Sequence, residues 1–191
     1  MTYSLIPVEL SHSRIIRMKV VATFVSLIAF SGVVLAQEPT PSLTTLDETY
    51  GFRGARFETA PSAYRDLALA EKAGKTSYYR RKGEQKQFGT GEVADVTYGF
   101  YQGRLAVILV KTRGLHNSRA VLEALQAQAG PGVQSSPYIQ RYAWNGQKVH
   151  MSYDENAMSN DALIVLTCKK LKEQEMKQAL RSTPQAPPAG M

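Results

Sequence analysis

The stretch Arg141–Tyr153, RYAWNGQKVHMSY, alternates bulky and polar residues on both sides of an Asn-Gly pair. A period of two sends successive side chains to opposite faces of an extended chain. Asn145-Gly146 can take positive φ at both centres of a type I′ turn, whose twist matches paired strands. The segment is therefore expected to form an antiparallel hairpin, with Tyr142, Trp144, Val149 and Met151 available for one buried face. An earlier phrase, YGFYQGRLAVILV from Tyr98 to Val110, repeats the pattern across Gln102-Gly103. Two such hairpins direct the chain toward an antiparallel sheet.

The other segments fit around them. TSYYRRK reads as a further strand, and the runs LAVIL and ALIVLTC are apolar at consecutive positions, as expected of strands central in a sheet or covered on both faces. Thr59 and Pro61 read as the start of a helix carrying Ala60, Ala63, Tyr64, Leu67 and Ala68 on one stripe, with Gly74 at its end. A second helix is capped by Asn117 or Ser118, turns Val121, Leu122, Leu125 and Ala129 inward and stops at Gly130-Pro131. KKLKEQEMKQALRS makes a last helix, stopped by Pro184. The expected fold is α+β, an antiparallel sheet with two or three packed helices. The order of elements admits a tandem α-βββ arrangement, although the aromatic hairpin joins different strands in the two halves, which favours an unrepeated domain. Over roughly Phe57 to Arg181 this order is similar to that of exported modules such as β-lactamase inhibitory proteins. The resemblance lies in element order and no signature residue, so it implies a fold and transfers no inhibitory residue.

The N-terminus has the three parts of an export signal. Arg14, Arg17 and Lys19 precede the uncharged run Val20–Ala36, and Val34 and Ala36 place small residues before a cut ahead of Gln37. The apolar run is short and broken by Thr23, Ser26, Ser31 and Gly32, whereas a comfortable membrane span needs about 20 strongly apolar residues. Residues 1–36 are thus expected to be a cleaved signal peptide, with Met18 an alternative true start. The expectation continues with a lead-in over 37–45, one domain over 46–181 and a disordered tail over 182–191. The protein would then be exported to the periplasm or beyond the cell, with no membrane span after cleavage. Removing Arg14, Arg17, Lys19 and Glu9 leaves 20 basic and 15 acidic residues. This mild positive charge, clustered at Arg80, Arg81, Lys82 and Lys86 and again at Lys169, Lys170, Lys172 and Lys177, fits an anionic envelope polymer better than nucleic acid, since no recognition motif accompanies it. The single cysteine, Cys168, excludes an internal disulfide and reads as a buried thiol.

Few residues offer chemistry. After signal removal the histidines are His116 and His150, without a His-x-x-x-His or Cys-x-x-Cys pattern. FGTGEVA matches a dinucleotide loop in letters, but it precedes a strand where that fingerprint requires a helix, so it reads as a turn. DENAMSND offers oxygen donors for calcium at spacings that fail the EF-hand pattern. No metal or cofactor is expected. Tyrosines combine apolar area with a polar tip, and Tyr78, Tyr79 and Trp144, with His150 and Asp154, are the residues expected to contact a partner. The leading expectation is a non-catalytic exported bacterial module that binds an envelope protein or anionic polymer. The alternatives are a periplasmic or secreted hydrolase-like enzyme using His150 and Asp154, and an exported inhibitor or assembly factor.

Overall fold

The computed structural model describes residues 43–182. The expected signal peptide, most of the lead-in and the C-terminal tail beyond Ser182 lie outside the described residues. A short helix, α1 (Leu43–Thr49), comes first, and it begins inside the segment expected to be a lead-in. A small hairpin follows, β1 (Gly51–Phe52) with β2 (Ala55–Arg56).

The body is one antiparallel sheet. Its strands are β3 (Leu67–Ala73), β4 (Thr76–Arg81), β5 (Gln87–Phe88), β6 (Gly91–Tyr101), β7 (Arg104–Thr112), β8 (Val133–Ser136), β9 (Ile139–Asn145), β10 (Val149–Glu155) and β11 (Ala162–Cys168). The order across the sheet is β3-β4-β6-β7-β11-β10-β9-β8, with β5 pairing to β6 at the side. α2 (Gly114–Ala129) links β7 to β8, and α3 (Lys169–Ser182) follows β11. The chain is α+β, as its alternating segments require. None of the described helices is long and apolar enough to cross a membrane.

The helix expected from Thr59 is not there. Pro61–Ala63 makes one 3-10 turn, and Thr59 bonds the Arg56 carbonyl and the Tyr64 hydroxyl in place of capping a helix. Leu67–Ala73 is instead paired with β4, and Gly74, at φ +58°, turns that hairpin where it was expected to stop a helix. Pairing to β4 at six register positions overrides the weak helical preference of LALAEKA. The order is therefore two runs of four meander strands, β3-β4-β6-β7 and β8-β9-β10-β11, each followed by a helix and joined along β7 and β11. The tandem α-βββ arrangement is replaced by ββββα twice. The element order that resembled β-lactamase inhibitory proteins loses its first helix.

The two hairpins separate in detail. Gln102 and Gly103 have φ of +49° and +76°, the geometry of the tight turn expected there. At the other hairpin His150 pairs with Asn145, and neither Asn145 nor Gly146 has positive φ, so the type I′ turn is replaced by a wider loop. α2 starts at Gly114 with Arg113 as an uncapped N-terminal residue, earlier than Asn117 or Ser118. It ends, as expected, at Gly130.

α2 covers one face of the sheet. Tyr153 reaches the Ser118 carbonyl at 3.1 Å and Thr112 Oγ1 meets Ser118 Oγ at 2.7 Å. The core beneath holds Ile108, Val110, Ile164, Leu166, Met151, Tyr153 and Trp144, with Val121, Leu122 and Leu125 from the helix. Burying each large side chain contributes roughly 1.5–3 kcal/mol. α3 crosses the sheet's end at the β6–β7 turn, where Arg104 donates to Gln174 and both Tyr101 and Gln102 donate to Gln178. In both outermost strands the register slips by one residue, between Leu69 and Glu71 in β3 and between Gln134 and Ser136 in β8.

Candidate functional site

Strand β10 alternates between a buried set, Val149, Met151, Tyr153 and Glu155, and a half-buried set, His150, Ser152 and Asp154. The second set faces away from α2. Register carries that face across the sheet: Asp95 stands opposite Lys111, Lys111 opposite Leu163, Leu163 opposite Asp154, and Asp154 opposite Arg141. Arg80 on β4 closes the row by a two-point contact with Asp95, Nε to Oδ1 at 2.8 Å and Nη2 to Oδ2 at 3.0 Å. Arg141 holds Asp154 by one oxygen, with Nε and Nη2 both on Oδ2 at 2.9 and 2.7 Å. Neighbouring strands lie about 4.8 Å apart, so the row Arg80–Asp95–Lys111–Leu163–Asp154–Arg141 runs for roughly 24 Å.

This row floors a cleft of about 1370 Å³, walled by Arg113 and Asn117 beyond β7 and by the Asn156–Asp161 loop. Five basic and five acidic side chains line it, so the signs cancel. The Arg80 guanidinium, helped by Thr97 and Lys111, holds the Asp95 carboxyl below its usual range against the opposing effect of burial. Lys111 and Arg113 make no ion pair within 4 Å among the described residues, so their charge is available to a partner. A second row on the same face, Thr97, Leu109, Val165, Ser152 and Ala143, is largely apolar.

The pleat separates the expected site residues. Tyr78 lies on the open face against Gly99, where a Cβ would come within 2.9 Å of its ring. Tyr79 lies on the covered face, edge-to-face with Phe100 at 5.3 Å, and is part of the packing. Trp144 is 1 % exposed and donates to the Gly130 carbonyl at 2.8 Å, so it is core and not a contact residue. His150 and Asp154 do share the open face. They are four residues apart on one strand, about 13 Å, and Asp154 is held by Arg141. Burial and the Lys169 ammonium lower the His150 pKa, which favours its neutral ring.

Sequence reasoning missed Asp95, Lys111 and Arg141, and placed Arg80 only in a basic cluster. Alternation alone could have put each on a strand's polar side, but their alignment depends on pairing between strands far apart in sequence. The basic clusters turn out to be dispersed. Arg81 lies over the Tyr64 and Tyr98 rings, Lys170 pairs with Glu58, Lys172 with Glu175 and Lys177 with Glu173. In the Asp154–Asp161 loop, Asn156 Oδ1 accepts the N–H groups of Met158 and Ser159, and Asp161 Oδ1 accepts that of Gly114. Among the described residues no group of three His, Cys, Asp or Glu side chains could hold a metal. Gly89 and Thr90 turn between β5 and β6, where Gly89 packs against Ala120 and Ala124 along the side of α2. No family model, curated protein or solved structure matches this chain.

Proposed function

We propose that this chain is an exported, non-catalytic binding domain that engages a protein through the open face of its sheet. The observation that carries the reading is the aligned row Arg80–Asp95–Lys111–Leu163–Asp154–Arg141, exposed at the floor of the cleft. A polyanion needs an unbroken positive track, and Asp95, Asp154, Glu92 and Asp161 would repel it. A protein surface can answer alternating charges in register, which gives specificity more than raw affinity. Leu163, 38 % exposed at the centre, and the apolar row beside it supply area to desolvate.

The test compares capture from envelope extract by wild type, Lys111→Glu and Leu180→Ala. Lys111→Glu sets a third acid into the row next to Asp95, whereas Leu180 is exposed on α3, away from the cleft. A band retained by wild type and Leu180→Ala but lost with Lys111→Glu supports the reading. No recovery, or equal recovery by all three, overturns it.

A further inference from the structure

The loop joining β9 to β10 is built around a carboxylate. Asp47, on α1, accepts the backbone N–H of Gln147 on Oδ2 at 2.6 Å and those of Lys148 and Val149 on Oδ1 at 2.8 and 2.9 Å. Three consecutive N–H groups converging on one anion form a nest, a concavity that favours negative charge. Burial pushes the Asp47 pKa up, but the three N–H groups and the Lys148 ammonium outweigh it and hold the carboxyl below its ordinary value. Gly146 gives the anion its room, since a Cβ there would stand 2.6 Å from Asp47 Oδ1. Lys169 Nζ fixes the loop by donating to the Gly146 carbonyl at 2.5 Å.

The helix that delivers this carboxylate is weakly anchored. α1 has seven residues and Leu46 is its only buried one, and helices this short do not persist on their own. Beside the nest a cleft of about 390 Å³ opens between α1 and the loop, bordered by Leu43, Thr44, Glu48 and Asn145. The geometry points to the Gly146–Val149 loop as a carboxylate-binding site: Asp47 is its internal occupant, and an external carboxylate that takes its place releases α1. This inference is independent of the open-face reading, because it uses the opposite end of β9 and β10. A tethered ligand acts at an effective concentration of order millimolar. External carboxylate therefore competes poorly in the wild type and binds freely once Asp47 is gone.

The test uses 15N-labelled protein titrated with sodium acetate against sodium chloride at equal ionic strength. In Asp47→Ala and Asp47→Asn, the amides of Gln147, Lys148 and Val149 should shift saturably, with a Kd at least tenfold lower than in the wild type. N-acetylglycine should act like acetate, and N-acetylglycinamide should not. In the wild type at saturating acetate, hydrogen exchange at the Tyr50 amide, which bonds the Leu46 carbonyl at 3.1 Å, should accelerate. If Asp47→Ala does not fold, the Asp47→Asn titration decides. Absent saturation in the folded variants, equal affinity in variant and wild type, an equal response to the glycinamide, or unchanged Tyr50 exchange would each overturn the proposal.

Discussion

Replacing Tyr153 by Phe should cost far more than the loss of one oxygen implies. Tyr153 is fully buried, and its single hydroxyl proton goes to Glu155 Oε2 at 2.7 Å, with the Ser118 carbonyl 3.1 Å away. The Glu155 side chain is only 4 % exposed and has one other partner, Arg119, at 2.9 Å. Phenylalanine leaves a buried carboxylate half-satisfied, and hydrogen bonds to charged groups are worth about 1.5–3 kcal/mol. For a body of this size that corresponds to a melting-temperature drop of roughly 3–12 °C, at about 2–4 °C per kcal/mol. Urea unfolding followed by fluorescence of the single tryptophan, Trp144, should show a lower midpoint at an unchanged m-value. Glu155→Gln should cost less, because it removes the buried charge itself and Arg119 keeps its bond to Gln140 Oε1 at 3.0 Å. Adding Tyr153→Phe to Glu155→Gln should then cost little more. A Tyr153→Phe variant within about 0.5 kcal/mol of the wild type, or strictly additive costs, would refute the claim that this hydroxyl satisfies the carboxylate.

Gly132→Ala should lose about 2–4 kcal/mol, since a Cβ at φ +73° would lie 2.7 Å from the Trp144 ring; unchanged tryptophan emission and midpoint would contradict this. Burial, with Cys168 and Glu58 beside Tyr50, Glu84 beside Tyr98 and Glu155 beside Tyr153, raises all three phenol pKa values. These groups keep their protons in the folded chain after unfolded tyrosines have lost theirs, so stability should hold up to about pH 10 and decline above it. Denaturant melts from pH 9 to 11 read that slope, and a flat profile would mean the rings are hydrated. Arg141→Ala should cost under about 1 kcal/mol, because its pair with Asp154 is about half exposed; a loss above 2 kcal/mol in urea would make the charged row structural. Cys168, buried, should resist a thiol reagent in the native protein and react stoichiometrically in denaturant.

Local rules carried the reading where neighbours in sequence are neighbours in space. Gln102-Gly103 sits in its tight turn, and α2 stops at Gly130, because each needs only its own backbone geometry. Asn145-Gly146 has the same turn chemistry and fails to use it, because Asp47, a hundred residues away, takes the loop's N–H groups. Leu67–Ala73 is ambiguous by composition, and only its partner Thr76–Arg81 settles it as a strand. β8 carries one apolar residue in four and offered no periodicity to read. For the site, alternation indicated that His150 and Asp154 share a face. It could not show that Trp144 and Tyr79 are spent on packing, or that Lys111 lies between Asp95 and Leu163.

An open sheet has two free margins, and each is a template on which another copy of the same chain could continue the ladder. Here the β3 margin carries an extra residue, Ala70, that breaks the even spacing of its unpaired amides and carbonyls, and the four-residue β8 margin has its pairing interrupted by an extra residue in β9. Glu71 and Lys72 on the first margin, and the Pro137 that follows the second, add charge and rigidity to these breaks. Edge-to-edge stacking into filaments is thereby disfavoured at both sides, so a sheet with one broad face that none of the described helices covers need not polymerise.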